Sequence, residues 1–491
     1  MKLEDIIRDC GAVAVKGDAG VEISSVTNDS RKVVPGTAFI AIKGHASDGH
    51  SYIGKALGNG AAAIIYEDEA ATAPFAGSDA VFVRTESSRR ANAVAAANFY
   101  GHPSEKLNLV GVTGTNGKTT TATLLYRMFM AAGYNCGLIS TIANYVGCKE
   151  SPTDNTTPDP MVINSLLAEM ADAGCEYCFM EVSSIGVEQE RVAGLRFKAG
   201  IFSNLTHDHL DYHGTFAEYL RCKKLFFDSL PADAFAITNA DDRNGMVMMQ
   251  NTRAHIVTYS CRSLADHTCR IIEESFDGMQ LRIDGIDAWT SLTGRHNAYN
   301  IAAIYTAARC LGMQAEEALT AISLLKPVAG RLETIKGPQD KCIAIDYAHT
   351  PDALENVLKT LREIAPERQL VCLFGCGGDR DRSKRPEMAE IACGLADRII
   401  VTSDNSRTEK TSDIIADIKA GMDFSGKARS LFIEDRAEAI RTAIITAEPG
   451  AVILLAGKGH ETYQITGKEK RHFDEREIVR ETFREMTGKQ E

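Results

Sequence analysis

One short segment of the chain has the residue types and the spacing of a phosphate site. It reads Thr-Gly-Thr-Asn-Gly-Lys-Thr-Thr over residues 113–120, after an apolar stretch and before residues with helical spacing. Gly114 and Gly117 allow a tight turn that points backbone N–H groups toward an anion at the start of the helix. Lys118 can reach the terminal phosphates, and Thr119 can ligate Mg²⁺. The segment therefore predicts a nucleotide phosphate loop, although it lacks one glycine of the strict pattern.

Acidic and histidine side chains follow the next apolar strands and form a candidate metal site. Glu181 ends an apolar run that starts at Cys178, and a carboxylate there can hold Mg²⁺ directly or through water. The segment 207–213 contains three His and two Asp. Zinc is the alternative for such a segment, but no cysteine lies nearby, and we favour a single histidine that joins oxygen ligands on Mg²⁺. Downstream, Lys223 and Lys224 taken alone would indicate a solvated helix face.

The elements around these residues alternate between short apolar strands and helical stretches. Between Leu107 and Asn239, continuous apolar strands each end in polar residues, which is typical of strands buried on both faces of a parallel sheet. Ligands of such sheets bind beyond the carboxyl ends of the strands. The pattern breaks near Lys326 and then resumes, which predicts a second doubly wound sheet. We therefore predict an α/β protein of three domains: a small N-terminal α/β domain (residues 1–105), a central parallel-rich sheet like that of phosphate-loop NTPases (106–327) and a C-terminal Rossmann-like sheet (328–491).

Length and composition limit the class of protein. The 491 residues are too many for one ordinary domain, and 44% hydrophobic with 24% charged residues describes a globular protein. A net charge of −12 argues against a protein that coats nucleic acid or anionic lipid. No apolar run reaches the roughly 18 residues of a membrane span, and the acidic start of the chain is not a secretory signal. We expect a cytoplasmic protein whose thirteen cysteines stay reduced.

A phosphate loop alone does not decide the class of enzyme, because motors, switches, kinases and ligases all use one. A GTPase switch would need an Asn-Lys-x-Asp segment to read the base, and the sequence has none. The lack of nucleic-acid-binding features counts against a motor, and a kinase would need a base that the sequence alone does not reveal. The other motifs therefore have to distinguish these classes.

These motifs resemble those of the Mur ligases, ATP-dependent enzymes that form amide bonds in peptidoglycan assembly, over nearly the whole chain. The resemblance covers the phosphate loop, the segment Met180 to Ser184 and the segment Asn204 to His213. Tyr219 followed by Lys223 resembles the family's carbamylated lysine site, in which CO₂ converts the amine into an anion near Mg²⁺. The resemblance implies a catalytic set of Lys118, Glu181, His209 and Lys223, and a metal-holding set of Thr119, Glu181, His209 and carbamylated Lys223.

The C-terminal motifs resemble those of family members that add the third residue to UDP-N-acetylmuramoyl-L-alanyl-D-glutamate. In the family, an Asp-Asn-Pro-Arg signature accompanies meso-diaminopimelate, and this chain has Asp-Asn-Ser-Arg, with Ser406 in place of proline. The planar fork of an arginine matches the distal carboxylate of diaminopimelate, which lysine lacks. The resemblance thus implies a diaminopimelate site made of Arg380, Asp404, Asn405, Ser406, Arg407, Gly457 and Glu461.

The resemblance also implies where the two nucleotide substrates bind. The implied ATP set is Gly114, Thr115, Asn116, Gly117, Lys118, Thr119, Thr120, Asn297, Arg331 and Asp346. The implied set for the UDP-muramoyl dipeptide is Ser30, His45, Asn155, Thr156, Thr157, Ser183, Gln189 and Arg191. Ile185 departs from the family pattern, in which histidine often follows the Ser-Ser pair.

The implied reaction begins when ATP phosphorylates the free glutamyl carboxylate to an acyl phosphate. The amine of diaminopimelate then attacks and phosphate leaves, while Lys118 and Mg²⁺ offset the negative charge. We expect small-molecule partners, no nucleic acid, no membrane span and a monomer. A lysine-adding relative and a folylpolyglutamate synthetase-like ligase are the related alternatives, and a nucleotide-dependent regulator is the alternative from a different class.

Overall fold

Three large β-sheets with helices around them, and one two-stranded hairpin, organise the part of the chain that the computed structural model describes. The structure describes residues 1–44, 47–153, 155–206 and 210–488, without the side chains of Leu210 and Asp211. In this part of the chain, none of the helices combines the length and the apolar character needed to cross a membrane. All thirteen cysteines are free thiols, as expected.

A small five-stranded sheet forms the N-terminal part. Its elements are α1 (Leu3–Ile6), β1 (Ala12–Lys16), β2 (Ser25–Thr27), β3 (Thr37–Ile40), α2 (Ile53–Gly58), β4 (Ala63–Tyr66), β5 (Val81–Thr85) and α3 (Ser88–Phe99). The strand order is β1-β5-β4-β3-β2, with only the edge strand β1 antiparallel to its neighbour. Side-chain hydrogen bonds join this part to the central part: Asn28 Nδ2 donates to Asp159 Oδ2 over 2.6 Å, and Ser87 Oγ donates to Glu190 Oε2 over 2.7 Å.

An eleven-stranded sheet forms the central part. Its strands are β6 (Asn108–Thr113), β7 (Cys136–Ile139), β8 (Asn144–Val146), β9 (Lys149–Ser151), β10 (Tyr177–Glu181), β11 (Ala199–Phe202), β12 (Phe235–Asn239), β13 (His255–Ser260), β14 (His267–Ser275), β15 (Gly278–Ile283) and β16 (Ile286–Thr290). Its helices are α4 (Lys118–Ala131), α5 (Pro160–Asp172), α6 (Ser184–Glu188), α7 (Leu210–His213), α8 (Phe216–Asp228), α9 (Gly245–Met248), α10 (Arg295–Cys310) and α11 (Ala315–Ser323). The order is β16-β15-β14-β13-β12-β11-β6-β10-β7-β8-β9. The seven consecutive strands of this order that begin with β14 and end with β7 are parallel to one another.

The middle of this sheet gathers the candidate site at one edge. β6 lies between β10 and β11, so the phosphate loop, Glu181 and Ser203 all lie at the carboxyl ends of adjacent parallel strands. The aromatic side chains of Phe226 and Phe197 cover β6 so closely that a Cβ on Gly111 would lie 2.5 Å and 2.8 Å from their rings. A glycine inside this strand therefore allows the packing that holds the loop in place.

A six-stranded sheet and a separate hairpin form the C-terminal part. Its strands are β17 (Glu333–Lys336), β18 (Cys342–Asp346), β19 (Leu370–Phe374), β20 (Arg398–Val401), β21 (Ser430–Phe432), β22 (Val452–Ala456), β23 (Tyr463–Thr466) and β24 (Glu469–His472). Its helices are α12 (Pro351–Ile364), α13 (Lys384–Leu395), α14 (Thr411–Ala420), α15 (Phe424–Ala428), α16 (Arg436–Thr446) and α17 (Glu475–Thr487). The order is β17-β18-β22-β19-β20-β21, parallel except for the edge strand β17, and β23 pairs with β24.

A fully buried ion pair joins the last helix, α17, to α16. Arg436 donates from Nε to Glu475 Oε1 over 2.8 Å, and both side chains are 0% exposed. Removing one partner of such a pair leaves the other charge buried without compensation. We expect Glu475→Ala to lower the free energy of unfolding by about 3 kcal/mol, measured from the denaturant midpoint. Glu469→Ala, which breaks the exposed pair with Arg471, is the control and should leave the midpoint in place; an equal shift in both variants would contradict this expectation.

Candidate active site

The phosphate loop connects β6 to α4 and has the tight turn predicted from its glycines. Gly114 has φ +150° and Gly117 has φ +88°, conformations that L side chains rarely adopt. A Cβ on Gly114 would lie 2.0 Å from Ser203 Oγ, and a Cβ on Gly117 would lie 2.7 Å from Asn300 Oδ1. Both positions require glycine, because a side chain would be strained and would also collide with its neighbours.

Two lysine ammonium groups meet at one carbonyl of this loop. Lys118 Nζ donates to Gly114 O over 2.9 Å and to Thr115 O over 2.8 Å. Lys223 Nζ, from α8, donates to the same Gly114 O over 2.7 Å and lies 4.6 Å from the centre of the Tyr219 ring. Lys223 is only 1% exposed. Two cations so close to a turn that presents N–H groups create a strongly positive site, which favours a polyanion.

Thr119 and Glu181 place two oxygen atoms together at the start of α4. The Thr119 hydroxyl donates to Glu181 Oε2 over 3.0 Å, and the Thr141 N–H donates to Glu181 Oε1 over 2.8 Å. Hydroxyl and carboxylate oxygens are hard ligands of the kind that Mg²⁺ accepts, so the pair fits this ion. His209, the third expected ligand, lies outside the described residues. Within the described residues, no group of three or more His, Cys, Asp or Glu is arranged to hold a metal ion.

A cavity of about 420 Å³ opens beside the phosphate loop. Asn116, Gly117 and Thr120 line it from the central part, and Arg331 and Asp346 line it from the C-terminal part. Nη2 of Arg331 also donates to the Thr119 hydroxyl over 3.3 Å. The residues expected to bind ATP thus come from two parts of the chain that face each other across one cleft.

Burial shifts the pKa of two groups in this cavity. Burial raises the pKa of Asp346 to about 6, although the charge of Arg331 and two backbone hydrogen bonds act in the opposite direction. Burial, and secondly the charge of Arg331, lowers the pKa of His296 to about 4. His296 is therefore neutral near pH 7, and the positive charge of the cavity comes from arginine and lysine side chains, Arg331 among them.

The structure places Asn300 at the cavity wall, whereas Asn297 lies behind it. Asn297 Nδ2 donates to Thr293 O over 2.7 Å, and its Oδ1 accepts from Asn300 Nδ2 over 3.1 Å. Asn300 lines the cavity. The contact of Asn297 with the ATP base stays a prediction. The sequence also offered a signal for Asn300, because it lies three residues after Asn297 on the same helix and residues three apart share a helix face.

Asp352, which the sequence analysis missed, joins the phosphate loop to the C-terminal part. Asn116 Nδ2 donates to Asp352 Oδ2 over 2.8 Å, and Thr206 Oγ1 donates to the same oxygen over 3.2 Å. Burial raises the pKa of this carboxyl. In the sequence, Asp352 has no distinguishing signal, because an acidic residue in the first turn of a helix is common for reasons of helix stability alone.

Hydrogen bonds link several of the residues expected to contact the muramoyl dipeptide. Thr157 Oγ1 donates to the Glu181 carbonyl over 2.9 Å and accepts from the Ser183 N–H over 2.9 Å. Arg191 donates to Thr157 O over 2.6 Å and to Gln189 Oε1 over 2.7 Å. These four residues and Glu181 therefore form one connected wall next to the phosphate loop.

The other residues expected at the dipeptide lie around this wall or apart from it. Thr156 Oγ1 accepts from Thr141 Oγ1 over 3.1 Å, and the neighbouring Asn155 is exposed. Ser30 is buried in the N-terminal part, where its carbonyl accepts from Asn59 Nδ2 over 3.2 Å. His45 lies outside the described residues. The roles of these residues stay predictions.

A second cavity, of about 370 Å³, brings Arg380 and Arg407 together. A Cβ on Gly377 would lie 3.0 Å from Arg407 Nη1 and 3.8 Å from Arg380 Cγ, so both side chains approach this glycine. Asp404, Asn405, Gly457 and Glu461 also line the cavity. Ser406, expected at the same site, is 3% exposed and is not part of the lining.

Glu461 is one of the acidic side chains that bring negative charge to this cavity. Its Oε2 accepts from Asn405 Nδ2 over 2.9 Å and from Lys458 Nζ over 3.0 Å. Arg407 Nη1 donates to Gly378 O over 2.8 Å. The cavity thus offers guanidinium groups to a carboxylate and a carboxylate to an ammonium group, which complements a zwitterionic amino acid head.

The two cavities share one segment as a common wall. Asp346 and Asp352 line the cavity beside the phosphate loop, and Tyr347, His349 and Pro351, which lie between them in sequence, line the second cavity. Tyr212 also lines the second cavity, and its hydroxyl accepts from Gln189 Nε2 over 2.9 Å. Tyr212 therefore connects the wall formed by Thr157, Ser183, Gln189 and Arg191 to the second cavity.

Comparison with known proteins places this arrangement in a family. The model described as "Mur ligase family, catalytic domain" matches residues 22–108, "Mur ligase middle domain" matches 112–308, and "Mur ligase, glutamate ligase domain" matches 330–459. A UDP-N-acetylmuramoyl-L-alanyl-D-glutamate--2,6-diaminopimelate ligase of Phocaeicola vulgatus is 49% identical over 484 residues, which cover 98% of this chain and 99% of that protein. This chain belongs to the Mur ligase family.

Other Mur ligases agree with this assignment. A protein of the same name from Clostridioides difficile is 41% identical and covers 99% of this chain and 100% of its own length. A solved structure of a ligase of that name has a TM-score of 0.70, 31% identity and 99% coverage of both chains. MurF of Thermotoga maritima, solved in complex with ADP, shares the fold with a TM-score of 0.61 at 19% identity, over 95% of this chain and 97% of that one. The predicted family, the class of ligase and the three-domain α/β fold are therefore confirmed.

Proposed function

We propose that this Mur ligase adds meso-diaminopimelate to UDP-N-acetylmuramoyl-L-alanyl-D-glutamate while ATP is converted to ADP and phosphate. The observation that carries the proposal is the cavity in which Arg380 and Arg407 lie with Glu461. Diaminopimelate has a distal carboxylate for the guanidinium groups and a distal ammonium for the glutamate, whereas lysine would leave the arginines without a carboxylate partner. The relatives from P. vulgatus and C. difficile carry this substrate in their names.

In the proposed reaction, the phosphate loop and its lysine make an unreactive carboxylate into an acyl donor. The loop N–H groups hold the phosphates of ATP, and Lys118 with Arg331 stabilises the negative charge as the γ-phosphoryl group moves to the glutamyl carboxylate. The wall of Thr157, Ser183, Gln189 and Arg191 holds the dipeptide. The amine of diaminopimelate then attacks the acyl phosphate, and phosphate leaves. The common wall of the two cavities supports this order of steps, because the acyl phosphate and the amine of diaminopimelate can approach one point from the two sides.

Mg²⁺ and a carbamate on Lys223 belong to the same proposal. Thr119 and Glu181 would hold the ion, with His209 as a further ligand, and the ion when bound supplies charge neutralisation at the phosphates. Addition of CO₂ would give Lys223 a negative charge suited to a second ion. The buried position of Lys223 beside Gly114 supports this, because an anion there would lie close to the Lys118 ammonium group, which donates to the same carbonyl.

The three parts of the chain would divide the substrates among them. We infer that residues 1–105 bind the uridine end of the muramoyl substrate, with Ser30 and His45, that residues 106–327 bind ATP, and that residues 328–491 bind the incoming amino acid. One chain supplies the residues that line both cavities, which supports a monomer with small-molecule partners. Dependence on ATP supports a cytoplasmic location.

Phosphate release with different amino acids tests the function. The assay contains ATP, Mg²⁺ and the UDP-muramoyl dipeptide, with meso-diaminopimelate or L-lysine as the acceptor. We expect kcat/KM for diaminopimelate to exceed that for lysine by about 10²-fold or more, because lysine has no distal carboxylate to accept from Arg380 and Arg407.

The same assay separates the alternatives. Turnover with lysine alone would make the chain a lysine-adding ligase and overturn the role of Arg407. A lack of phosphate release with every acceptor would favour a nucleotide-dependent regulator. Release that requires a folate in place of the muramoyl dipeptide would indicate the folylpolyglutamate synthetase-like activity.

A further inference from the structure

Two loops carry the arginines of the second cavity, and a buried arginine outside the cavity holds these loops together. Arg380 lies between β19 and α13, and Arg407 lies between β20 and α14. Arg385, in the first turn of α13, is 0% exposed, and Glu409 follows Arg407 in the second loop. Neither Arg385 nor Glu409 lines the cavity.

Glu409 connects the buried arginine to the backbone of the other loop. Arg385 donates to Glu409 from two nitrogens, over 2.8 Å to Oε1 and 2.9 Å to Oε2. Glu409 Oε1 also accepts the N–H of Asp379, the residue before Arg380, over 2.6 Å. The hydrogen bonds from Arg385 lower the pKa of Glu409 to about 2, so this acceptor stays ionised.

Further hydrogen bonds join the same two loops. Thr408 donates to the Asp379 carboxylate from its hydroxyl over 2.6 Å and from its N–H over 3.2 Å. Gly378 N donates to Asn405 O over 2.9 Å, and Arg407 Nη1 donates to Gly378 O over 2.8 Å. The backbone of one loop is therefore bonded directly to the backbone and side chains of the other.

Each of the two arginine-bearing loops contains a backbone conformation that needs this support. Asp379 has φ +55° and Arg407 has φ +49°, and both are non-glycine residues in the left-handed region. Such conformations cost of order 1–3 kcal/mol each and persist only where the surroundings hold them. If the hydrogen bonds to Asp379 are lost, we expect the turn to relax and the distance between the two guanidinium groups to change.

We propose that Glu409, held by Arg385, is a positioning residue that sets the spacing of Arg380 and Arg407 and thereby the preference for an acceptor with a second carboxylate. This inference rests on the proposed function. Glu409 touches no substrate in this arrangement; it acts through the Asp379 N–H on the arginine that follows. Its removal therefore affects diaminopimelate, whose distal carboxylate needs both guanidinium groups, and leaves the binding of the other substrates intact.

Arg385 has a second carboxylate partner that provides a matched control. Asp417 Oδ2 accepts from Arg385 Nη1 over 2.8 Å, and its side chain is 29% exposed, against 22% for Glu409. Asp417 bonds to Arg382 but, in contrast to Glu409, not to the Asp379 N–H. Glu409→Gln and Asp417→Asn therefore each remove one negative charge next to the same buried guanidinium, and only the first variant weakens the link between the loops.

Steady-state kinetics of the full-length variants tests the proposal. We expect Glu409→Gln to raise KM for diaminopimelate about 10-fold, with kcat and the KM values of ATP and the muramoyl dipeptide close to wild type. The ratio of kcat/KM for diaminopimelate over lysine should fall by about the same factor, and Asp417→Asn should keep the wild-type ratio. Thr408→Val, a change at an exposed position, should also lower the ratio of kcat/KM for diaminopimelate over lysine. This variant tests the positioning role if Glu409→Gln does not fold.

Three results would count against these claims, and they can be told apart. Wild-type selectivity in both Glu409→Gln and Thr408→Val overturns the positioning role. An equal loss of selectivity in Asp417→Asn also overturns it, because the effect would then follow the general stability around Arg385. If the wild-type enzyme itself releases no phosphate with diaminopimelate, the proposed function fails first, before any variant is compared.

Discussion

Replacing Lys118 with alanine should lower kcat for phosphate release about 10³-fold. The ammonium group lies 2.9 Å from Gly114 O and 2.8 Å from Thr115 O, at the turn where the phosphates of ATP would bind. When the γ-phosphoryl group approaches a carboxylate, negative charge accumulates on both reactants, and a fixed cation at this place stabilises the transition state more than the ground state. The measurement is single-turnover phosphate release with saturating substrates.

The control for this variant is a lysine of the same part of the chain with no role at the site. Lys106 is exposed and precedes β6, and Lys106→Ala should retain wild-type turnover. Thermal unfolding of both variants should match the wild type, because the Lys118 side chain contributes to charge at the site more than to packing. Wild-type turnover in Lys118→Ala would remove the phosphate loop from the mechanism.

Replacing Lys223 with alanine should lower turnover by about 10²-fold or more, and short carboxylates such as formate or acetate should partly restore it. The carbamate proposal requires an anion at this position, and alanine leaves a space in which a small carboxylate can take its place. Lys223 is 1% exposed and its Nζ lies 2.7 Å from Gly114 O, so an added carboxylate would lie beside the phosphate loop.

The neighbouring lysine on the same helix gives a matched control. Lys224 Nζ pairs with Asp228 over 2.7 Å, one turn further along α8, and its ammonium group donates to both oxygens of that carboxylate. Lys224→Ala should keep full turnover and show no response to added carboxylate. Undiminished activity of Lys223→Ala without any carboxylate would exclude the carbamate, whereas a loss that no carboxylate restores would indicate that the lysine itself supplies the needed group.

Local sequence was sufficient for the phosphate loop, because all of its determinants lie within a few residues. Gly114 and Gly117 adopt positive φ values, Lys118 begins α4, and the apolar residues before them form β6. The predicted strand that ends in Glu181 is β10, and its position next to β6 brings this carboxylate to Thr119. Alternation of apolar strands with helices determined the parallel sheets, since both faces of such strands must be buried.

Resemblance to a family, rather than spacing, suggested the residues of the second cavity. Arg380 and Arg407 are 27 positions apart and lie in different loops, and no periodicity of either loop relates one to the other. Their approach depends on the adjacent strands β19 and β20, and on the bonds of Glu409 to Asp379 and Arg385. A contact of this kind is a product of tertiary packing.

The sequence by itself determined the phosphate loop, the succession of strands and helices, and the family to which the chain belongs. Only the tertiary structure decided that Asp352 reaches Asn116, that Asn300 and not Asn297 lines the cavity beside the phosphate loop, and that one segment separates the two cavities. The physical reason is how far apart in the sequence the interacting residues lie. Turn conformation and strand burial follow from neighbouring residues, whereas a cleft forms where surfaces distant in sequence meet.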